Sequence, residues 1–312
     1  MAPRHRELLP VQSARLLLPE PGSPQKKPPA EPPHHTLKDS ASQVQAINRE
    51  LESLIGLAKV KQLIKEIEAF IVIQSWRQEE RLAADPLVLH MIFKGNPGSG
   101  KTTIARLIAR LFKEMGVLQR GHLVEVERAD LVGEYIGHTA QKTREQIRRA
   151  QGGVLFIDEA YSLIRGGERD FGKECIDTLV RSMEEMKNEF VLILAGYSKE
   201  MDRFISSNPG LRSRFPIIID FPDYSIEELM KIADLMLDAR QYCLSGDARK
   251  ELINCLLNQT QDGNDYHGNA RLVRNLIEKG IRRQAVRLMG LSSISREDLV
   301  LIRQQDIRGG ID

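Results

Sequence analysis

Five short apolar runs, kept apart by segments with helical spacing, restrict what this chain can fold into more than any other feature. They are LHMIFK at 89–94, HLVEVER at 122–128, GVLFID at 153–158, FVLILAG at 190–196 and PIIIDF at 216–221. Unbroken or β-branched runs of this length read as strands buried on both faces, and helices between most of them make the sheet parallel. Ahead of the first run, Val44, Ile47, Leu51, Leu54 and then Val60, Leu63, Ile64, Ile67, Phe70 and Ile71 recur every three or four residues, with a break at IGLAKV. That is helical spacing over 43–83. Beyond Pro222 the strand signal stops. Residues 225–240, 247–259 and 269–289 read as amphipathic helices, and SREDLVLI opens a further element at Ser295 with a capping-box pattern. The pattern predicts an α/β domain over 43–222 that includes a helical N-terminal linker, followed by a helical domain over 223–312.

Residues 1–42 read differently. Nine of the 14 prolines fall within the first 40 residues, with PEPGSPQKKPPAEPPHH at 19–35, so a disordered or polyproline-like tail is expected there. The first 40 residues carry the whole net charge of +2, which leaves 41–312 neutral. A nucleic-acid footprint is therefore not written into the net charge of the folded part. No apolar run approaches the roughly 18 residues a membrane span requires. The apolar stretches of the N-terminus are broken by Glu7, Pro10 and Arg15, which spoils a secretory signal, so a cytoplasmic location is expected. Cys175, Cys243 and Cys255 show no metal-ligand spacing, and their odd number argues against a disulfide framework.

The chemistry begins where the first run ends. GNPGSGKT at 95–102 fits GxxxxGK[ST] between a strand and the helical TTIARLIARLF. Glycines at 95, 98 and 100 allow the backbone of Gly95, Asn96, Pro97, Gly98, Ser99 and Gly100 to curl around nucleotide phosphates. The helix N-terminus, which includes Thr103, adds its positive end. Lys101 reaches the outer phosphates, and the Thr102 hydroxyl suits Mg²⁺. VLFIDEA at 154–160 supplies the carboxylates such a loop requires. Asp158 stands at a strand end, where it can hold Mg²⁺ through water, and Glu159 beside it can act as general base on an attacking water. ATP and Mg²⁺ are the expected cofactors.

HMIFKGNPGSGKTT, ERADLVGEYIGHTAQKT, VLFIDEAYSL, FGKECIDTLV and NPGLRSRFPIIIDFPDYS together resemble the AAA+ ATPases. Within them the chain is similar to the group that holds stage V sporulation protein K and the red-type, CbbX-like Rubisco activases. The resemblance runs from about residue 50 to the C-terminus and leaves out the proline-rich tail. It implies a five-stranded parallel sheet in the order 5-1-4-3-2 with flanking helices and a small C-terminal helical lid. It implies an ATP hydrolase that forms a ring, a hexamer, and remodels or threads a protein client, with a link to sporulation.

Residue by residue, the resemblance nominates Ile55, Gly56 and Leu57 as the adenine cup. Arg214 is the finger that reaches a neighbour's nucleotide, with Arg212 as rival. Arg271 is the lid arginine at the γ-phosphate, with Arg274 in reserve. The usual sensor position on the fourth strand falls at Tyr197 or Ser198. Tyr135, Ile136 and Gly137 take the place of the aromatic-hydrophobic-glycine loop that lines the central channel, with Gly133 and Gly137 as its hinges. The glycine-rich RGGERDFG at 165–172 is expected to line the channel below it. A motor acting on nucleic acid, a nucleotide-gated scaffold with little turnover and a small-molecule kinase are the alternatives. The neutral core, the Glu159 base and the lack of any acceptor-pocket signal count against them in turn.

Overall fold

A computed structural model of the protein describes residues 37–84, 87–135, 137–165, 170–187, 189–261 and 268–308. The chain enters through helices α1 (Leu37–Ser53) and α2 (Ala58–Glu79). The sheet then forms from β1 (Met91–Gly95), β2 (Leu123–Val126), β3 (Val154–Ile157), β4 (Val191–Gly196) and β5 (Ile217–Phe221). Its order is β2-β3-β4-β1-β5, and all neighbours pair in parallel, which matches the order implied by the resemblance.

Helix α3 (Lys101–Glu114) connects β1 to β2. The short α4 (Arg128–Leu131) and α5 (His138–Ala150) connect β2 to β3, and α6 (Gly172–Glu185) connects β3 to β4. Helices α7 (Ser198–Ser207) and α8 (Pro209–Arg212) lead from β4 into β5. The lid holds α9 (Ile226–Asp238), α10 (Gly246–Gln261) and α11 (Asn269–Met289), each within three residues of its expected limits. Ser295 caps the next short helix, Arg296–Val300, through a reciprocal bond with Asp298, as the sequence pattern predicted.

Strand alternation sorts the core into two layers. Met91, Phe93, Val154, Phe156, Val191 and Ile193 point to one side, where they pack with Ile47, Leu51, Ile64, Ile104, Ile108 and Phe112 of α1 to α3. Ile92, Leu155, Ile157, Leu192 and Leu194 point to the other, against Leu131, Ile147, Ile176, Met183, Phe204 and Leu211. A third cluster, including Leu229, Ala233, Leu252, Leu256, Val273 and Ile277, forms the interior of the lid.

Two elements depart from expectation. Helix α1 begins at Leu37, inside the segment expected to be tail. The last proline of the tail is Pro33, and nothing after it forbids helical backbone. Residues 1–36 lie outside the described residues. The lid also contains a pair of two-residue strands, Cys243–Leu244 and Leu301–Ile302, too short to leave a periodicity.

Candidate functional site

The carboxyl ends of β1, β3 and β4 open into one cleft of ≈ 1460 Å³. The chain leaves β1 for β2 at one edge of the sheet and leaves its neighbour β4 for β5 at the other, so a topological switch point lies beside this cleft, where open α/β sheets bind their ligands. Its walls include Gly95, Pro97, Gly98, Gly100, Lys101, Thr102 and Thr103 from the first loop and helix, and Asp158 and Glu159 from the end of β3. Asn96 and Ser99 face away from it. The Asn96 amide donates to both Asp223 oxygens, at 3.0 and 2.9 Å, and the buried Ser99 hydroxyl donates to Asn96 O at 2.8 Å.

Lys101 is bent back on the loop that precedes it, its Nζ donating to Gly95 O at 2.9 Å and Asn96 O at 2.8 Å. Burial pulls its ammonium below the ordinary lysine value, the Arg271 guanidinium adds to the lowering, and Asp158, Asp223 and Glu159 oppose it. An anion that replaced the two carbonyls would hold the same ammonium more strongly. Asp158 Oδ1 accepts the N–H of Glu159 at 3.0 Å, and Glu159 itself has φ +46, a left-handed conformation that a side-chain-bearing residue keeps only where its surroundings enforce it.

The lid closes the cleft from the other side. Arg271 and Arg274 line it from the start of α11, and Ile232, Leu235 and Met236 from α9. Ile55 and Leu57 line it from the break between α1 and α2, whereas Gly56 turns toward the lid. A Cβ on Gly56 would stand 2.5 Å from Glu228 Oε1 and 3.2 Å from the Tyr224 ring. Of the two sensor candidates, Tyr197 lines the cleft and Ser198 does not.

Sequence reasoning missed several lining groups. Tyr224 lies at the hinge between β5 and α9, directly before the helix-capping Ser225, and donates its hydroxyl to Ser99 O at 3.3 Å. An aromatic residue just ahead of a capping serine is a position known to fix chain entry, and this was the available signal. Arg128 and Lys142 also line the cleft. They come from polar helices whose charge pattern gives no sign of which side chains turn inward.

Arg212 and Arg214 stand outside the cleft. Arg214 Nη1 donates to Gly210 O at 2.8 Å and Nη2 pairs with Glu184 of α6, while its buried Nε meets no partner among the described residues. Arg212 is exposed at the end of α8. Tyr135 is 66% exposed, with its ring edge-on to His138 at 5.6 Å. Ile136, and residues 166–169 of the second glycine-rich loop, lie outside the described residues.

The two glycines that flank Tyr135 are not alike. Gly137 caps α5 with φ +83, and a Cβ there would meet nothing within 4 Å. Gly133 is no hinge: its N–H donates to Thr139 Oγ1 at 3.0 Å, and a Cβ would press within 2.6 Å of His138 Cβ. Packing requires a glycine at 133. Gly133 and Glu134 line the cleft, so the loop is rooted there even though Tyr135 points to solvent.

Comparison with known proteins agrees with this geometry. Residues 91–223 match the family described as ATPase family associated with various cellular activities (AAA), and residues 225–312 match the AAA lid domain. Stage V sporulation protein K of Bacillus subtilis (strain 168) is 57% identical over 262 residues, which span 84% of this chain and 81% of that protein. The chloroplastic ribulose bisphosphate carboxylase/oxygenase activase of Cyanidioschyzon merolae (strain NIES-3377 / 10D) is 43% identical over 270 residues, 85% of this chain and 92% of that one. Among solved structures, the FIGL-1 AAA domain in complex with ADP superposes with a TM-score of 0.56 at 18% identity, over 83% of this chain and 82% of that chain, a likeness of fold alone. The chain belongs to the AAA family of ATPases, in the group it shares with stage V sporulation protein K and the Rubisco activases.

Proposed function

We propose that this ATPase hydrolyses Mg-ATP within a ring, a hexamer, and uses the cycle to remodel or thread a protein client in the cytoplasm, in a process linked to sporulation. The observation that carries the reading is the division of the candidate residues. Phosphate-binding, metal-holding and base candidates converge on one cleft, whereas Arg214, Arg212 and Tyr135 stand outside it. Residues that belong to the same reaction but do not reach their own cleft have a use where a neighbour's cleft and a shared channel come to them.

In this reading the α/β domain and the lid, divided near residue 223, are the two jaws of the cleft. Lys101 and Arg271 bind phosphate charge. Thr102 and Asp158 offer the hard oxygens that suit Mg²⁺, which supplies charge neutralisation on the phosphates. Glu159 takes the proton of the attacking water. Ile55 and Leu57 face the base, and Gly56 between them makes the close approach to Glu228 and Tyr224 that seats the turn. Arg214 leaves Glu184 to serve the adjacent subunit. Tyr135, followed by Ile136 and Gly137, grips an extended polypeptide through a flat aromatic face that demands no particular sequence. No helix among the described residues is long and apolar enough to cross a membrane. The sporulation link is supported by the name of the Bacillus relative.

Mixing Arg214→Ala chains with Lys101→Ala chains tests the shared site. Each is expected to be inactive alone. Mixed rings should regain ATPase activity at interfaces that pair an intact loop with an intact finger, and activity should rise more steeply than linearly with protein concentration. Co-assembly without recovery would reject Arg214 and move the test to Arg212. Stimulation by single-stranded nucleic acid would count against a protein client.

A further inference from the structure

The phosphate loop has five consecutive carbonyls, Gly95 to Ser99, and every one has a donor. Lys101 serves the first two. The other three are served from outside the loop. Pro97 O accepts from Asn269 Nδ2 at 3.3 Å, Gly98 O from the Ala270 N–H at 3.3 Å, and Ser99 O from the Tyr224 hydroxyl at 3.3 Å.

These donors come from two segments, the hinge after β5 and the first residues of α11, and one side chain ties them together. Asn269 Oδ1 accepts the Tyr224 N–H at 3.0 Å. Its Nδ2 also donates to Asp223 Oδ1 at 2.6 Å, and Asp223 is itself held by the Asn96 amide of the loop. Asn269 is 2% exposed and has φ +46, a left-handed conformation that asparagine adopts more readily than other side-chain-bearing residues. The fit leaves no spare room: a Cβ on Gly98 would lie 2.6 Å from Gly268 O and 2.7 Å from Arg271 N.

A trans peptide points its C=O and N–H in opposite directions. Holding the carbonyls of Pro97 and Ser99 toward the lid therefore turns the N–H groups of Gly98 and Gly100 toward the cleft that both residues line. We infer that Asn269 is a positioning residue for ATP: it clasps lid and hinge onto the outer edge of the phosphate loop, sets the loop's peptide planes to receive phosphate, and places Arg271 two residues further on. Lid closure and phosphate affinity are then one equilibrium, and whatever opens the lid weakens the loop's hold on phosphate. The inference rests on the cleft being the ATP site.

Three variants of the full chain test it, with fluorescent ATP and Mg²⁺ as the probe. Asn269→Gly keeps the left-handed backbone and deletes the amide, so ATP affinity should fall about tenfold, the loss of one to two net hydrogen bonds. Asn269→Asp keeps an acceptor for Tyr224 but sets a second carboxylate against Asp223, and should lose more. The double variant Asn269→Asp with Asp223→Asn exchanges the two groups and should recover most of that further loss. A residue that supports only the fold would lose and regain unfolding stability across this series with ATP affinity unchanged. Without any nucleotide, hydrogen exchange at the Ala270 amide should be faster in Asn269→Gly than in the parent chain. Asn269→Gly binding within twofold of the parent, no recovery in the double variant, or unchanged exchange at Ala270 would overturn the inference. A parent chain unable to bind ATP would instead overturn the reading of the cleft, and this inference with it.

Discussion

Two of the glycine-edged loops that feed a helix, the phosphate loop and the Tyr135 loop, share a need for left-handed backbone and differ in the space around it. In the phosphate loop, Gly98 has φ +71 and is hemmed in by the backbone of the lid, so a side chain fails there on conformation and on space. At the far end of the Tyr135 loop, Gly137 has φ +83 with open space around it, so a side chain fails there on conformation alone. The first loop is clasped along its length. The second is pinned at Gly133 and exposed at Tyr135. Under the proposed function, a rigid cradle suits a site that holds phosphate without rearrangement, and a lever pinned at one end suits a surface that moves when phosphate leaves.

The largest expected effect lies in the clasped loop and its carboxylates. Glu159→Gln should lower hydrolysis by about 10² to 10⁴-fold, the usual worth of a positioned general base, while ATP stays bound. Lys101→Ala should lose ATP binding instead, as nucleotide titration would show. Near-parental turnover by the Glu159→Gln chain would remove Glu159 from the mechanism.

Acid unfolding touches neither loop directly and so provides a common baseline for both. His90, just before β1, packs its ring beside Phe190 and Phe215 and accepts the Leu192 N–H on Nδ1 at 3.0 Å. Burial lowers its pKa from 6.5 to about 4. The folded state therefore binds fewer protons than the unfolded state between those values. The contribution of His90 to stability is expected to be full above about pH 6.5 and to fall as pH drops toward 4, by about 3 kcal/mol. His90→Asn retains an acceptor and should flatten that limb in denaturant titrations across pH 4–7. An unchanged limb would assign it to other groups.

A direct comparison of the loops comes next in size. Gly98→Ala should cost ATP at least tenfold in affinity, because about 1–2 kcal/mol of backbone strain adds to the clash with the lid. Gly137→Ala should leave ATP affinity unchanged and cost about 1 kcal/mol of stability. Equal losses of ATP binding in the two variants would break the distinction between cradle and lever. The smallest effect is expected at the exposed tip, where Tyr135→Ala should keep basal hydrolysis within a few-fold and the unfolding midpoint within a few degrees. A variant that unfolds would make Tyr135 a packing residue.

The sequence made local features legible. Each strand run announced itself to within two residues, and GNPGSGKT and the Asp158–Glu159 pair lie in the cleft they implied, because strand, loop and helix N-terminus are consecutive in the chain. What it hid was long-range. Asn269 and Pro97 are 172 residues apart, and no periodicity or spacing announces that an amide will reach a particular carbonyl across that interval. The charge on Arg271 marks this segment in the sequence, whereas the neutral Asn269 two residues earlier carries no such mark. The same limit applies at Gly133, whose role follows from the approach of His138 and Thr139, and at Arg214, whose partner Glu184 lies on α6, 30 residues earlier in the chain.

Arg128 has a consequence for engineering. Its guanidinium donates to Ser162 O at 2.6 Å and to Asp170 Oδ1 at 2.5 Å, so one side chain staples both ends of the stretch that runs from the end of β3 into α6. Once the ends are fastened, extra residues between them cost mainly loop-closure entropy, about 0.6 kcal/mol for each doubling of length. A tag or a dye-bearing insert placed between Arg165 and Asp170 should therefore leave ATP affinity within twofold of the parent chain, as nucleotide titration would show.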